Sequence, residues 1–270
     1  MEPIFMANPR SGPAQQLADV HHAIVSCEQC PRLRTYCRRI ATEKKRAYRD
    51  EVYWGRPVPG FGDPAARLLL LGLAPAAHGA NRTGRVFTGD GPGGSGDFLM
   101  TALHRTGFAN LTTSERADDG LRLTDAYIAA AVRCAPPDNK PLPDEIARCL
   151  DHLEAEVSAL PNVRVVVALG KIAFDAWLQL LKHRRLIGRS ASHELRTRRN
   201  PPHSGRRPQF GHGVVVKFDQ LPTANYPTIQ LPTLMGCYHP SRQNTNTGKL
   251  TQKMMVDVFR QARTLLRSPR

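Results

Sequence analysis

The sequence predicts an α/β protein, a three-layer α/β/α sandwich around a central four-stranded parallel sheet. Three observations carry that expectation. Four apolar runs of strand length are separated by helical patterns, the alternation that gives a parallel sheet covered on both faces. The first run, Arg67-Leu68-Leu69-Leu70-Leu71, is continuously apolar rather than alternating, as a strand buried on both faces is. Loops rich in Gly, Pro and polar residues follow the first and the fourth run, and open α/β sheets bind ligands outside the carboxyl ends of their strands.

Residues 1–14 show no pattern and are expected to be disordered, with residues 15–270 forming a single domain. Residues 15–26 read as a short helix leading into Cys27-Glu28-Gln29-Cys30, and Lys44, Lys45, Arg46 and Arg49 decorate a solvated segment. Arg67-Leu68-Leu69-Leu70-Leu71 is the first strand, and a glycine-rich stretch at 89–96 opens a helix at 97–105. The second strand spans 125–132. A helix over 143–160 starts on Pro143, where the missing N–H costs nothing. The third strand, 163–169, is broken by Gly170 before a helix at 172–183. The fourth strand spans 231–237, and an amphipathic helix at 251–266 closes the pattern.

The chain of 270 residues carries 38 Lys and Arg against 23 Asp and Glu, a formal net charge of +15, which favours a polyanionic partner, nucleic acid before others. More than half of that excess falls in residues 182–213, with nine Lys and Arg against one acid, read as a loop or disordered basic insertion rather than a domain, which contacts DNA phosphates or serves as a solvated spacer. No apolar stretch approaches the roughly 18 residues of a membrane span. Residues 1–16 lack the apolar core of a signal peptide, so the expectation is a cytoplasmic protein, associated with the nucleoid through DNA.

Disulfides are disfavoured in the cytosol, so six cysteines need another explanation. Cys27 and Cys30 form a CxxC pair; Cys134 follows a strand and Cys149 lies on the next helix, so the four can converge. Four thiolates suit a zinc ion or a [4Fe–4S] cluster, and spacing does not choose between them. Cys37 is close enough to Cys30 to replace a ligand, and Cys237 reads as a small core residue.

The loop after the first strand reads Gly72-Leu73-Ala74-Pro75-Ala76-Ala77-His78-Gly79-Ala80-Asn81-Arg82-Thr83-Gly84-Arg85 and runs on to Phe87-Thr88-Gly89-Asp90. The loop after the fourth reads Cys237-Tyr238-His239-Pro240-Ser241-Arg242-Gln243-Asn244-Thr245-Asn246-Thr247-Gly248-Lys249. These segments resemble the two active-site motifs of the uracil-DNA glycosylase superfamily, with the nearest likeness to its family 5, the type-b iron–sulfur branch. The resemblance covers most of residues 15–267 outside the basic insertion. It implies hydrolysis of the bond joining a damaged base to deoxyribose after the nucleotide is flipped out of the duplex. It implies a [4Fe–4S] cluster on Cys27, Cys30, Cys134 and Cys149, with a structural role.

Residue by residue, the resemblance makes His239 the hydrogen-bond donor to the departing base, Phe87 the ring that stacks on it, and Gly72 and Ala74 part of its pocket. Ser241, Arg242 and Lys249 are expected on the DNA. The strict iron–sulfur uracil glycosylases carry a carboxylate directly after the first Gly and further polar groups in that loop; here stand Leu73, Ala76 and Ala77. The carboxylate's role passes to Asp90, with Asn139 in Pro136-Pro137-Asp138-Asn139-Lys140-Pro141 as the second candidate. Each has a plainer reading, a turn or cap Asp and a loop Asn. The uracil-reading Asn of strict relatives is matched by Ala130, which predicts a broader pocket accepting uracil, hypoxanthine, xanthine or modified pyrimidines.

Lys140 and Lys249 raise a Schiff-base lyase; phosphate contact is preferred, with water as nucleophile and a monofunctional enzyme. The expected partners are double-stranded DNA containing deaminated bases and downstream abasic-site repair enzymes, for a protein acting as a monomer without a membrane. The rivals are a noncatalytic iron–sulfur DNA-binding protein of the same fold, favoured by the apolar loop at 73–77, and an iron–sulfur electron carrier, disfavoured by the absence of a closely spaced cysteine run.

Overall fold

The structure is a computed structural model that describes residues 12–89, 91–184, 186–187, 195–197, 208–218 and 230–268. In chain order its elements are α1 (Pro13–Val25), α2 (Pro31–Glu43), β1 (Phe61–Gly62), β2 (Leu68–Gly72), α3 (Ala80–Thr83), α4 (Ser95–Arg105), β3 (Ala126–Ala130), α5 (Pro143–Ser158), β4 (Val165–Leu169), α6 (Lys171–His183), β5 (Leu195–Thr197), β6 (Val215–Phe218), β7 (Thr233–Cys237), α7 (Arg242–Asn246) and α8 (Gln252–Arg267). The strand order is β1-β3-β2-β4-β7-β6-β5.

Its centre is the expected parallel sheet. β3, β2, β4 and β7 run parallel in register, with Leu70 opposite both Ile128 and Val167, and Val167 opposite Met235. Successive side chains leave a strand on opposite faces. Leu68 and Leu70 therefore join one core, under α4 and α8, through Leu99, Leu103, Met255 and Phe259. Leu69 and Leu71 join the other, under α1, α5 and α6, through Leu17, Leu153, Phe174 and Trp177. All four leucines are fully buried, each stabilising by about 1.5–3 kcal/mol relative to exposure. The packing of α8 follows from spacing: Met255, Val256, Phe259, Ala262 and Leu266 form one buried stripe, and Thr251 caps its start by accepting from the Met254 N–H.

Three strands extend the expected four. β1 pairs antiparallel with β3, and β6 pairs antiparallel with β7 and β5, so the sheet is mixed at both edges. β5 falls inside residues 182–213, which are thus not wholly loop; most of that basic stretch lies outside the described residues. Residues 211–214 fold back on β7, where Gly213 N–H donates to the Gly236 carbonyl at 2.8 Å. Gly236 is required there, because a Cβ would come within 2.3 Å of the Gly211 carbonyl oxygen. The first helix starts at Pro13, inside the segment expected to be disordered; residues 1–11 lie outside the described residues. No described helix is long and apolar enough to cross a membrane.

Candidate active site

The parallel strands deliver both motif loops to one edge. Outside the carboxyl ends of β3, β2 and β7 lies a pocket of about 500 Å³ lined by Gly72, Leu73, Ala74, Pro75, Ala76, Phe87, Ala130, Asn139, His239, Ser241 and Arg242, among others. The β2–β3 pairing continues past the strand ends, since Ala131 and Val132 N–H donate to the Gly72 and Leu73 carbonyls at 3.0 and 2.9 Å. That pairing holds the apolar loop beside Ala130, which supplies a side of the pocket with no hydrogen-bonding side chain.

His239 is fixed through its backbone on both sides. Tyr238 N–H donates to His212 Nδ1 at 3.2 Å, and Asn244 Nδ2 donates to the His239 carbonyl at 2.8 Å. Burial pushes the His239 imidazole down to about 4, so it is neutral at pH 7 and presents one N–H donor. The Phe87 ring lies 5.8 Å from the imidazole, tilted by 31°. Phe87 takes φ +52°, a left-handed conformation that its surroundings must enforce. Two glycines make room: a Cβ on Gly72 would meet the Phe87 ring at 2.9 Å, and one on Gly96 would meet the Phe87 carbonyl oxygen at 2.4 Å.

Two buried arginines hold the loop around Phe87, and sequence reasoning missed both. Arg85 donates to Thr88 Oγ1 at 2.9 Å, Ser114 Oγ at 3.1 Å and Asp119 at 2.6 Å. Burial works against ionised Asp119, but Arg85 and three backbone N–H groups overcome it and hold the carboxyl down at about 2. Arg82 donates to the Gly89 carbonyl at 2.8 Å and to Glu51. An arginine in a loop reads as surface, so the only signal in the sequence was that both lie inside the motif.

Asn139 reaches the pocket with Asp138, which sequence reasoning also passed over; the two take successive left-handed conformations at φ +56° and +54°. Both are exposed. Asp90 lies outside the described residues, between Gly89 and Gly91, whose φ values are +79° and +81°. Ser241 lines the pocket and also caps α7, its hydroxyl accepting from Asn244 N–H at 3.4 Å. Lys249 does not line the pocket; its ammonium sits 5.1 Å from the centre of the Tyr238 ring. No described lysine lines the pocket, Lys140 included.

The cysteines gather behind this loop. Cys30, Cys134 and Cys149 share a buried cluster with Cys37, against which Ala74 and Ala77 pack. Half-buried Cys27 is an electrostatic neighbour of Cys134, as are Cys30 and Cys149. Burial raises the thiols of Cys27 and Cys30 and pushes Cys149 up to about 12, so ionising them together needs positive charge. Arg34 supplies some, 4.0 Å from Cys134 Sγ; fully buried Arg133 beside Cys149 pairs through Nη2 with buried Glu156 at 2.7 Å and leaves Nε and Nη1 without a hydrogen-bond partner. Among the described residues no group of three or more His, Cys, Asp or Glu is placed to hold a metal ion. Four thiols beside two buried guanidiniums, with two Arg133 nitrogens unpartnered, are a donor set that fits an anionic metal–thiolate centre. Cys37 donates to the Ala135 carbonyl at 3.6 Å and neighbours Cys134. Cys237 is a core residue, as expected.

The comparisons with known proteins agree with the geometry. The family model for the Uracil DNA glycosylase superfamily matches residues 59–263. A type-5 uracil-DNA glycosylase of Thermus thermophilus is 46% identical over 242 residues, 90% of this chain and 94% of the relative. One from Mycobacterium tuberculosis is 44% identical over 256 residues, 94% of this chain and 84% of the relative. A type-4 uracil-DNA glycosylase of Pyrobaculum aerophilum is 30% identical over 169 residues, 62% of this chain and 67% of the relative. The chain belongs to the uracil-DNA glycosylase superfamily, in its type-5 branch.

Proposed function

We propose that this protein is a monofunctional DNA glycosylase that removes uracil, and with it hypoxanthine or xanthine, from duplex DNA. The observation that carries the reading is the convergence of the apolar loop, Phe87, Asn139 and His239 in one pocket at the strand ends. A target nucleotide flipped into that pocket stacks on Phe87 and lies against Ala130. Without a bidentate amide at Ala130 the pocket selects by shape more than by hydrogen bonding, which widens the range of bases.

As the bond from C1′ to the base nitrogen breaks, negative charge grows on the base and positive charge on the sugar. Neutral His239 donates its N–H to the base oxygen where negative charge grows. Asp90 or Asn139 orients the attacking water and stabilises the sugar cation. Water's oxygen bonds to C1′ and its proton leaves for the base, giving free base and an abasic site. The lining favours water over an amine nucleophile, because no described lysine lines the pocket. Cys27, Cys30, Cys134 and Cys149 would hold a [4Fe–4S] cluster, which when bound ties the N-terminal segment to the sheet. The protein acts as a cytoplasmic monomer associated with the nucleoid through DNA, and passes its product to abasic-site repair enzymes.

The test is end-labelled duplex carrying U opposite G, split with and without alkali. Cleavage only after alkali is the expected result. Cleavage without alkali would restore Lys140 or Lys249 as a nucleophile. Salt-dependent binding without any abasic product would favour the noncatalytic DNA-binding module.

A further inference from the structure

Residues 44–53 leave α2 as a segment rich in charge, and its sequence suggests only solvation. The structure fastens it to the motif loop after β2. Lys44 ends α2 with φ +55°, its ammonium donates to the Arg49 carbonyl at 3.1 Å, and Arg46–Tyr48 close a 3-10 turn. Arg82 lies 4.0 Å from the centre of the Tyr48 ring, pairs with Glu51, and donates to the Gly89 carbonyl at 2.8 Å. Tyr53 hydroxyl and His78 Nδ1 share a hydrogen bond of 3.0 Å. One buried guanidinium therefore sets both this strap and the residue before Asp90.

The strap stands opposite the second motif. A Cβ on Gly91 would lie 3.7 Å from both the Tyr48 hydroxyl and the Arg242 guanidinium, so the two flank the same loop at the pocket's rim. Lys45, Arg46 and Arg49 are exposed around this turn. Arg49 pairs with exposed Asp50 at 3.7 Å, a solvent-screened contact that a phosphate can displace.

We propose that residues 44–53 are a DNA-backbone clamp, in which Lys45, Arg46 and Arg49 take phosphates of the duplex on the side of the pocket facing Arg242. The choice of DNA rests on the glycosylase reading. Such contacts fix register and orientation rather than sequence. Each phosphate neutralised contributes about 0.9 to the slope of log affinity against log salt, so three contribute about 2.7.

The experiment compares full-length wild type with K45Q/R46Q/R49Q and with R105Q/R260Q/R267Q, three exposed cations on the outer helices α4 and α8. Fluorescence anisotropy reads affinity for an undamaged duplex across a salt series, and thermal melting confirms that both variants fold. The strap variant should lose about tenfold or more in affinity and about two to three units of slope, with the outer-helix variant near wild type. A strap variant matching wild type in both would overturn the clamp, as would an outer-helix variant losing as much, since net charge would then explain the effect. Wild-type excision of uracil is scored separately by the alkali assay. Slope loss without excision keeps the clamp and defeats the glycosylase reading; wild type that binds no duplex defeats the clamp whatever the alkali assay shows.

Discussion

His239 shows how burial chooses the protonation form of a pocket residue. Its imidazole is held down at about 4, so it is neutral through the whole physiological range, the form that the proposed donation to a departing base uses. His239→Ala should slow single-turnover excision by about a hundredfold or more, the usual loss of one donor to a developing anion. The sign of the pH effect follows: the neutral form dominates above about 4, so kcat/KM shows no His239 limb at neutral pH and falls only as pH drops toward that value. In His239→Asn the donor no longer titrates, and a pH profile that kept the same acid limb would assign the limb elsewhere. Ala130→Asn should narrow base choice, keeping uracil and losing hypoxanthine by about tenfold or more, read as kcat/KM on matched duplexes. At this scale the sequence was legible for His239, Phe87 and Ala130, because they stand in ordered motifs next to strand ends. Arg82 and Arg85 were not, because their burial depends on Gly89, Thr88 and Asp119 folding around them.

Elements divide along the same line. β2, β3 and β4 were legible because burial on both faces makes each one an unbroken apolar run, and β7 follows that pattern after Thr233. β1, β5 and β6 are two to four residues long and take their identity from the strand they pair with, which no local pattern records. α2 left a usable signal: Pro31 at its first turn, then Leu33 and Cys37 on one buried face. α4 carries the clearest test of how an element shapes the site. Gly96 lies in its first turn, and a Cβ there meets the Phe87 backbone rather than a movable side chain. Gly96→Ala should destabilise by about 1–3 kcal/mol through forced backbone movement, and excision should fall with it. Differential scanning calorimetry beside single-turnover kinetics checks this. An unchanged melting temperature and rate would mean that the Phe87 loop yields freely, contrary to the bracing by Arg82 and Arg85.

On the scale of the whole molecule, the cysteine cluster and the pocket are two sides of one loop. Ala74 and Ala77 pack against the cysteines while Leu73, Ala74 and Ala76 line the pocket. Stripping the proposed cluster with chelator and oxidant should therefore lower the melting temperature and the excision rate together, with loss of visible absorbance marking its removal. The molecule's charge is equally uneven. Residues 182–213 carry nine of its basic residues, and Arg198, Arg199, Arg206 and Arg207 lie outside the described residues. If that stretch meets DNA, neutralising these four to Gln should weaken binding to every duplex alike and lower the salt slope by about one unit for each phosphate they neutralise. The maximal single-turnover rate should fall far less than affinity, because phosphate contacts position DNA while the chemistry stays in the pocket. Unchanged affinity and slope would make the stretch a solvated spacer and leave DNA binding to the strap, Arg242 and the strand-end loops.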